Sequence, residues 1–339
     1  MPGIFETRIT DPLKVDRGRI QTILESGQRP TIQFSKPGYS PELLHSVNRL
    51  CGEFGEKLEV RFFGHYGGHF DASVLTHIPK VSWLSVDCLM EIVNEQEIAN
   101  LASLRRLSFG VNKFDKPGFL NQLDLGKLDR LVLVENVKRN LDLSPLQNAR
   151  ELETLFLNGF TKNIGVLAGL PKLKQLSLGG IAKTQSLRFV SDMSGLRSLT
   201  LVLGGRQSID EIAHPGLEEL NVLRVRGLEG LGSLARFPRL RELVVEDQIK
   251  IRSINVSESN LRKLILMNCK NLKEIQGLGN LGELIEFRTS QTRLDLDALL
   301  EGEWPPSLQV LALYSGSQKW NDAARETVNR RGYREFALR

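Results

Sequence analysis

The sequence lacks several features that would assign it to a well-defined class. Its 339 residues contain three cysteines, Cys51, Cys88 and Cys269, which lie too far apart for a disulfide framework or a zinc knuckle. No apolar run approaches the roughly 18 residues of a membrane-spanning helix. The first residues have neither the basic region nor the apolar stretch of a secretion signal. We therefore expect a cytoplasmic protein that does not bind membranes.

Motifs that carry catalysis or hold a cofactor are missing as well. The sequence has no Walker loop, no serine nucleophile elbow and no cysteine–histidine signature, and the glycines of residues 227–232 do not open a dinucleotide-binding helix. His65 and His69 have the spacing of a metal-chelating pair on a helix, but the glycines beside them disfavour a helix. We predict a protein that is not an enzyme and needs no cofactor, and metal binding at these histidines is a third, less favoured alternative.

What the sequence does contain is a repeat of the form Leu-x-x-Leu-x-Leu. Leucines at the first, fourth and sixth positions cannot share one face of a helix, but they suit a short strand that is entered from a turn. A fixed period of this length is typical of a stacked solenoid. The copies begin at Leu58, Val81, Leu104, Leu128, Leu152, Leu173, Leu196, Leu217, Leu240, Leu261, Leu284 and Leu308.

On these residues the sequence resembles the leucine-rich repeat family, over about residues 58–314, and within it the short-repeat branch of internalins and a phosphatase-regulatory subunit. That resemblance implies, by analogy, a bacterial source. The family usually has asparagine two residues after the third leucine. Asn268 stands there, but Gly180, Leu203 and Asp247 occupy the equivalent positions elsewhere. We therefore expect turns held by the backbone and by glycine rather than by an asparagine ladder.

The fold class predicted is α/β, as a leucine-rich repeat solenoid with a curved parallel sheet on its concave face. About 15 residues return across the convex face after each strand, which is enough for 3₁₀ turns and short helices. We expect a single domain of about twelve coils over residues 58–315, because a coil with one apolar edge is stable only between neighbours.

Caps are expected at both ends of the solenoid, where leucines would otherwise be exposed. The N-terminal cap, residues 1–57, is predicted to hold a strand over residues 31–35 and a helix that Ser40 caps, with Pro41 at its first position. The C-terminal cap, residues 316–339, is predicted to hold a helix over residues 318–331. An edge strand that contains Tyr333, Phe336 and Leu338 would follow it.

The third, fifth and seventh positions of the repeat would face solvent on the concave side. The third position changes from basic residues in the early repeats to acidic residues in the later ones, and exposed aromatic and aliphatic side chains are typical anchors of protein interfaces. The candidate partner-binding residues are Trp83, Arg106, Arg130, Val132, Phe156, Asn158, Glu219, Glu242, Val244, Ile265, Met267, Arg288 and Tyr314.

These features predict a non-catalytic module that binds a folded protein on its concave face and is monomeric when unbound. An inhibitor, an immunity or antidote protein, or a targeting subunit would fit. The alternative is a nucleic-acid or anionic-ligand binder that uses Arg106, Arg130 and the arginines of the C-terminal cap. A net charge of +5 is mild for this length, and no aromatic stacking platform accompanies the C-terminal arginines, so nucleic acid is the less favoured partner. Those arginines are Arg325, Arg330, Arg331, Arg334 and Arg339.

Overall fold

The computed structural model describes residues 7–66 and 68–335. Contacts group the chain into two compact units, Met1–Leu173 and Lys174–Arg339, and we describe each by itself. The cap boundaries near residues 57 and 316 stay predictions.

The first unit is built on a parallel sheet in which each coil of chain adds one strand beside the preceding one. In its described part the sheet runs β1-β2-β3-β5-β7-β8-β9, and β4 and β6 pair separately on the return side. The strands are β1 (Arg8–Thr10), β2 (Thr31–Phe34), β3 (Glu59–Gly64), β4 (Phe70–Asp71), β5 (Trp83–Leu89), β6 (Ile92–Val93), β7 (Arg106–Val111), β8 (Arg130–Leu133) and β9 (Thr154–Asn158).

The helices of the first unit lie in the return segments, and helix α2 is the longest of the three α-helices in its described part. Helix α2 begins as predicted, because the Ser40 hydroxyl accepts a hydrogen bond from the Leu43 amide at 3.2 Å and Pro41 occupies the first turn. The α-helices are α1 (Arg17–Glu25), α2 (Pro41–Phe54) and α3 (Gln96–Ala99). The 3₁₀ turns are Gly55–Lys57, Ala72–His77, Phe119–Gln122, Leu125–Lys127, Ser144–Asn148 and Ile164–Gly169.

The sequence analysis missed the first strand and helix of this unit. Strand β1 pairs in parallel with β2, and α1 connects them, so one further β–α step precedes the strand predicted at residue 31. Helix α1 buries only Ile20 and Ile23. Two apolar positions are too few to produce a helical period in the sequence, which is why the element escaped the analysis.

The second unit repeats the parallel arrangement. Its described residues form the sheet β10-β11-β12-β13-β15-β17-β18, and β14 and β16 pair separately. The strands are β10 (Gln175–Gly179), β11 (Ser198–Val202), β12 (Glu219–Leu223), β13 (Glu242–Glu246), β14 (Ser253–Asn255), β15 (Lys263–Met267), β16 (Glu274–Gln276), β17 (Glu286–Ser290) and β18 (Val310–Tyr314).

The returns of the second unit carry little helix, as the short repeat predicted. Helix α5 is the predicted C-terminal helix. Ser317 caps it, and Ala324 and Val328 are buried, as their helical spacing indicated. The helices are α4 (Leu296–Glu301) and α5 (Gln318–Arg330), and the 3₁₀ turns are Arg188–Asp192, Leu234–Arg236 and Leu278–Asn280. Arg334 then bridges to Val310 in parallel, whereas Phe336, Leu338 and Arg339 lie outside the described residues.

The repeat leucines form the core of both units. Leu152, Leu155 and Leu157 of one coil are fully buried, and so are Leu261, Leu264 and Leu266 of another. Thr289, the polar residue at a leucine position, is also fully buried, and its hydroxyl lies 3.2 Å from that of Thr292. The alternation of inward leucines and outward residues thus confirms the predicted leucine-rich repeat architecture.

Candidate functional site

The candidate residues lie on the face of each sheet opposite the buried leucines, which we call the open face. Parallel register aligns equivalent repeat positions across neighbouring strands, so each position forms a lateral row. In the first unit one row runs Glu59, Trp83, Arg106, Arg130 and Thr154, and the next runs Arg61, Ser85, Ser108, Val132 and Phe156.

Charged side chains of the first unit are largely paired along its open face. Arg106 contacts Asp129 and Glu56, each at 3.0 Å. The Arg61 guanidinium lies 2.7 Å from the carboxylate of Asp87, which is partly buried. Burial raises the pKa of Asp87, and the arginine opposes that rise. Around Arg61 and Arg106 the face is therefore a network of ion pairs rather than a free basic surface.

Trp83 differs from its predicted exposure. Only 4% of the side chain is exposed, because two guanidinium groups cover the indole ring. The carbon of the Arg29 guanidinium lies 4.1 Å from the ring centroid, and that of Arg106 lies 4.8 Å away. Arg29 precedes β2 and was not among the candidates, because nothing in the repeat pattern connects residue 29 with residue 83. Trp83 is consequently buried beneath two arginine side chains, and it is not an exposed anchor for a partner.

Apolar candidates of the first unit stand side by side at the far end of its sheet. Val132 on β8 pairs with Phe156 on β9, and both are half-buried. Asn158 lies two residues further along β9, and its Oδ1 is buried without a hydrogen-bond partner among the described residues. The structure therefore brings Val132, Phe156 and Asn158 together on adjacent strands.

Acidic candidates of the second unit are partly neutralised by their neighbours. Lys263 lies 3.0 Å from Glu242 on the adjacent strand, and the Arg288 Nε lies 2.6 Å from Glu286. Glu219 accepts a hydrogen bond from Asn221 at 2.7 Å. The predicted acidic row is present, but these local contacts reduce its net charge.

Apolar candidates of the second unit also adjoin one another. Val244 pairs with Ile265, and Met267 lies one position further along the Ile265 face, beside Glu246. Leu223 pairs with Glu246 from the other side, so apolar side chains flank that carboxylate. All of these residues are half-buried, which leaves part of each side chain accessible.

Tyr314 is the second candidate whose predicted exposure is wrong. It is 9% exposed, and its hydroxyl donates a hydrogen bond to the Glu335 carboxylate at 2.6 Å. Burial and that carboxylate raise the pKa of Tyr314 to about 12. Val310 and Ala312, which precede Tyr314 on β18, are buried as well. The last strand of the sheet is therefore covered by the C-terminal segment.

A cleft among the described residues lies elsewhere, at the carboxyl ends of the strands in the first unit. It has a volume of about 810 Å³, and the exposed side chains of Tyr66, Met90 and Val137 line it. Register shifts in β3 and β5 at this end displace the chain from the regular repeat. The sequence analysis missed this cleft. Seventh repeat positions such as Asp87 and Val134 line part of it, but its exposed side chains belong to the turns that follow the strands, which the repeat pattern does not describe.

The histidines offer no metal site among the described residues, where no cluster of three metal-ligating side chains occurs. The His65 side chain is 2% exposed, and its Nδ1 lies 3.0 Å from the Phe63 carbonyl oxygen. Burial lowers the pKa of His65, so the neutral ring is favoured. His214 is buried too, with its Nε2 at 2.7 Å from the Met193 carbonyl oxygen. Both rings are therefore structural.

No helix in residues 7–66 and 68–335 combines the length and apolar character needed to cross a bilayer.

No family model matches the chain. A protein of Trypanosoma equiperdum, named "Putative adenylate cyclase regulatory protein", is 28% identical over 209 residues. That alignment covers 57% of this chain and 31% of the relative, so the chain matches less than a third of that protein's length.

Among solved structures, an internalin of Listeria monocytogenes is 16% identical, with a TM-score of 0.46 over 98% of this chain and 87% of its own. The glycosylated Toll–Spätzle complex of Drosophila gives a TM-score of 0.49 at 17% identity, over 94% of this chain and 49% of that one. A leucine-rich repeat protein of Leptospira interrogans is 13% identical, with a TM-score of 0.36 over 96% of this chain and 93% of its own.

Proposed function

We propose that this leucine-rich repeat chain is a non-catalytic module that binds a folded protein through the open faces of its sheets. The observation that carries the proposal is the register that places half-exposed apolar side chains next to one another. Val132 adjoins Phe156 in the first unit, and Val244 adjoins Ile265 in the second. Neighbouring strands lie about 4.8 Å apart, so each pair presents a continuous apolar surface.

Surfaces of this composition suit protein partners. A protein interface typically has a small apolar centre within a polar rim, and a few central side chains supply most of the binding free energy. The apolar pairs here are bordered by ion-paired residues such as Glu242 with Lys263. Those rim charges would orient a partner and speed its association more than they would strengthen the complex.

The arginines of the C-terminal cap support this choice over the alternative of a nucleic-acid binder. Arg325 pairs with Glu335 at 2.6 Å, and Arg331 donates to the carbonyl oxygens of Leu300 and Gly302. Arg334 donates to Gln309 at 2.8 Å. These guanidinium groups are engaged within the chain, whereas a nucleic-acid surface needs arginines that are available to phosphates.

Binding itself would be the activity of such a chain, as in an inhibitor, an antidote to a toxin or a targeting subunit. The name of the trypanosome relative describes a regulator, which agrees with a role without chemistry of its own. The cytoplasmic location, the bacterial source and the monomeric state stay predictions.

The test is affinity capture from the native cytosol, repeated with nuclease and at raised salt, with the bound protein identified by mass spectrometry. A protein interface with a few dominant apolar side chains should survive both treatments. Binding through phosphates should weaken steeply with salt. Recovery that disappears with nuclease or salt would overturn the proposal.

Matched variants test whether the interface lies on the open face. Ile265→Glu should abolish capture, because it puts a charge in the apolar patch of the second unit. Ile249→Glu makes the same change at a side chain that is 64% exposed on a return segment, and it should leave capture intact. Phe156→Ala should weaken the complex by about 2 kcal/mol, roughly 30-fold in Kd. Equal effects of both glutamate variants would contradict an open-face interface.

A further inference from the structure

Three arginines converge on the open face of the first unit, around Trp83. Arg29 and Arg106 lie over the indole ring, with guanidinium carbons 4.1 Å and 4.8 Å from its centroid. Arg130 is the register partner of Arg106 on the next strand, and the positive charges of Arg29 and Arg106 both act on it. We call Arg29, Arg106 and Arg130 the arginine cluster.

Only one member of the arginine cluster is neutralised by direct contact. Arg106 pairs with Glu56 and Asp129. Glu59, the nearest carboxylate in the row, is held by hydroxyl donors instead, from Thr31 at 2.9 Å and Ser85 at 2.6 Å.

Arg29 and Arg130 have no such partner. Within residues 7–66 and 68–335 neither guanidinium forms a hydrogen bond or an ion pair within 4.0 Å. The cluster therefore contains two cations without a contacting anion.

Arg130 is the informative member, because its side chain is half-buried. Burial lowers its pKa, and the repulsion from Arg29 and Arg106 outweighs the attraction of Glu59 and Asp129. A guanidinium has five N–H donors in a planar fork. Leaving such a group half-buried without acceptors costs free energy, which an incoming anion would recover.

The surroundings admit a compact anion and disfavour a polyanion. Glu56, Glu59 and Asp129 lie around the cluster and would repel a chain of phosphates. Trp83 is almost fully covered, so no nucleic-acid base could stack on it. One planar carboxylate matches the bidentate geometry of a guanidinium.

Apolar surface adjoins this position. Val132 follows Arg130 by two residues on the same face of β8, a distance of about 7 Å along the strand. Phe156 pairs with Val132 from the adjacent strand. A ligand whose carboxylate reached Arg130 would therefore place a neighbouring side chain against Val132 and Phe156.

We propose that the arginine cluster receives the carboxylate of an aspartate or glutamate in an acidic segment of the protein partner. An aliphatic or aromatic side chain next to that acidic residue packs on Val132 and Phe156. Arg130 is the main contact, and Arg29 adds positive charge above Trp83. This inference rests on the proposed function, since it names the chemistry of a partner that binds the open face.

The first experiment uses the full chain and four probes in isothermal titration calorimetry. They are the blocked peptide acetyl-Glu-Leu-Glu-Leu-amide, its counterpart acetyl-Gln-Leu-Gln-Leu-amide, inorganic phosphate and a twelve-residue oligothymidine. The glutamate peptide should bind about tenfold more tightly than the glutamine peptide, because it alone offers charged acceptors. Equal affinities of the two peptides would overturn the inference. If oligothymidine bound more tightly than the glutamate peptide and its binding depended on Arg130, the ligand of the cluster would be a polyanion and the inference would be wrong.

Two variants test whether the glutamate peptide contacts Arg130. Arg130→Gln should remove the tenfold preference for the glutamate peptide. Arg105→Gln, which removes the same charge from an exposed neighbour whose guanidinium contacts the Lys127 carbonyl oxygen at 3.2 Å, should retain it. The side-chain Nε–H resonance of Arg130, identified by its loss in Arg130→Gln, should shift on addition of the glutamate peptide. A preference that Arg105→Gln removes as well would reflect general charge and would contradict a site at Arg130.

The inference and the proposed function can fail separately. If partner capture survives Arg130→Gln but not Ile265→Glu, the open-face function stands and the carboxylate site is wrong. If the glutamate peptide binds through Arg130 while no protein partner is captured, the carboxylate site stands and the proposed function is wrong.

Discussion

The two units share one leucine pattern but end their strands differently. In the second unit six successive strands are followed, at the same repeat position, by a residue with positive φ. These residues are Gly180, Leu203, Arg224, Asp247, Asn268 and Gln291. In the described part of the first unit His65, Cys88 and Gly159 have positive φ at this position, whereas Val111 and Glu135 do not.

This difference indicates that the repeat leucines determine where strands form. The residues of the following turns determine where those strands end. Every register given within the second unit's main sheet continues without a shift. In the first unit the pairings of β5 with β3 and β7 both shift, at Phe63/Gly64 and at Val86/Leu89. The cleft lined by Tyr66, Met90 and Val137 opens at these shifts. Irregular strand ends of this kind commonly redirect side chains beside binding sites.

The cores of the units also differ, and truncation of one side chain in each sharpens the comparison. Phe109 stacks on Phe119 at 4.5 Å and meets Phe114 edge-on at 4.9 Å, whereas Leu243 lies among aliphatic residues. Phe109→Ala should reduce the free energy of unfolding by about 4 kcal/mol and Leu243→Ala by about 3 kcal/mol. Urea denaturation measures both, and a smaller loss for Phe109→Ala would contradict a tightly packed aromatic core.

A partly buried arginine stabilises a return segment of the second unit. Arg236 donates to the carbonyl oxygens of Ile209, Ile212, Leu231 and Ser233 at 2.6–2.9 Å. Arg236→Ala should therefore cost about 3 kcal/mol in unfolding free energy, because it leaves these acceptors without donors. Arg239→Ala, at an exposed neighbouring position, should change stability little. Similar losses for both variants in urea denaturation would show that the Arg236 contacts are not stabilising.

Leu203, Arg224 and Gln291 adopt the left-handed conformation in turns of the second unit, and Leu203 does so with φ of 61°. Asparagine tolerates this conformation better than leucine and occupies it at position 268. Leu203→Asn should raise the unfolding free energy by about 1 kcal/mol, since Leu203 is already 49% exposed and loses little packing. Leu203→Ala provides no polar side chain that could hydrogen-bond the local backbone in this conformation, and it should bring no gain. Thermal unfolding would contradict this prediction if the two variants matched.

Two tyrosines, one in each unit, should ionise at higher pH than an ordinary tyrosine, for different reasons. Burial, followed by the charge of Asp71, raises the pKa of Tyr39 to about 12. Burial, followed by the hydrogen bond to Glu335, raises that of Tyr314 to about 12. Both folded values lie above the ordinary value near 10, so this contribution to stability is complete below about pH 10 and is lost as the pH rises towards 12.

Ultraviolet difference absorbance measures these ionisations directly. Tyr314→Phe should remove one of the late steps, and Glu335→Gln should move that step to lower pH without affecting Tyr39. A single transition of all tyrosines near the ordinary value would contradict both assignments.

Much of the fold could be predicted from the sequence because burial follows a short and regular period. All twelve repeat strands, the helix that begins at Pro41 and the helix over residues 318–330 were found by local pattern alone. Strand β1 and helix α1 could not be predicted in this way, because they contain too few apolar positions to show a period.

The candidate surface was less predictable. Its rows follow from the repeat spacing. The structure places Val132 beside Phe156 and Val244 beside Ile265, as that spacing predicts. The expected role of backbone and glycine in the turns holds for Gly180, but Leu203, Arg224 and Gln291 adopt the same conformation without being glycine. Side-chain contacts also link Arg224, Asp247 and Asn268. Turn conformation thus depends on the stack of coils and not only on the residue.

By itself the sequence determined which residues face inward, because the free energy of burying leucine depends on its position in a short repeat. Only the tertiary structure decided which outward residues remain accessible. Trp83 is covered by Arg29, and Tyr314 is bonded to Glu335, through contacts that no local pattern encodes. The physical reason is distance along the chain. Inward orientation is settled within one strand, whereas exposure depends on side chains that come from other segments.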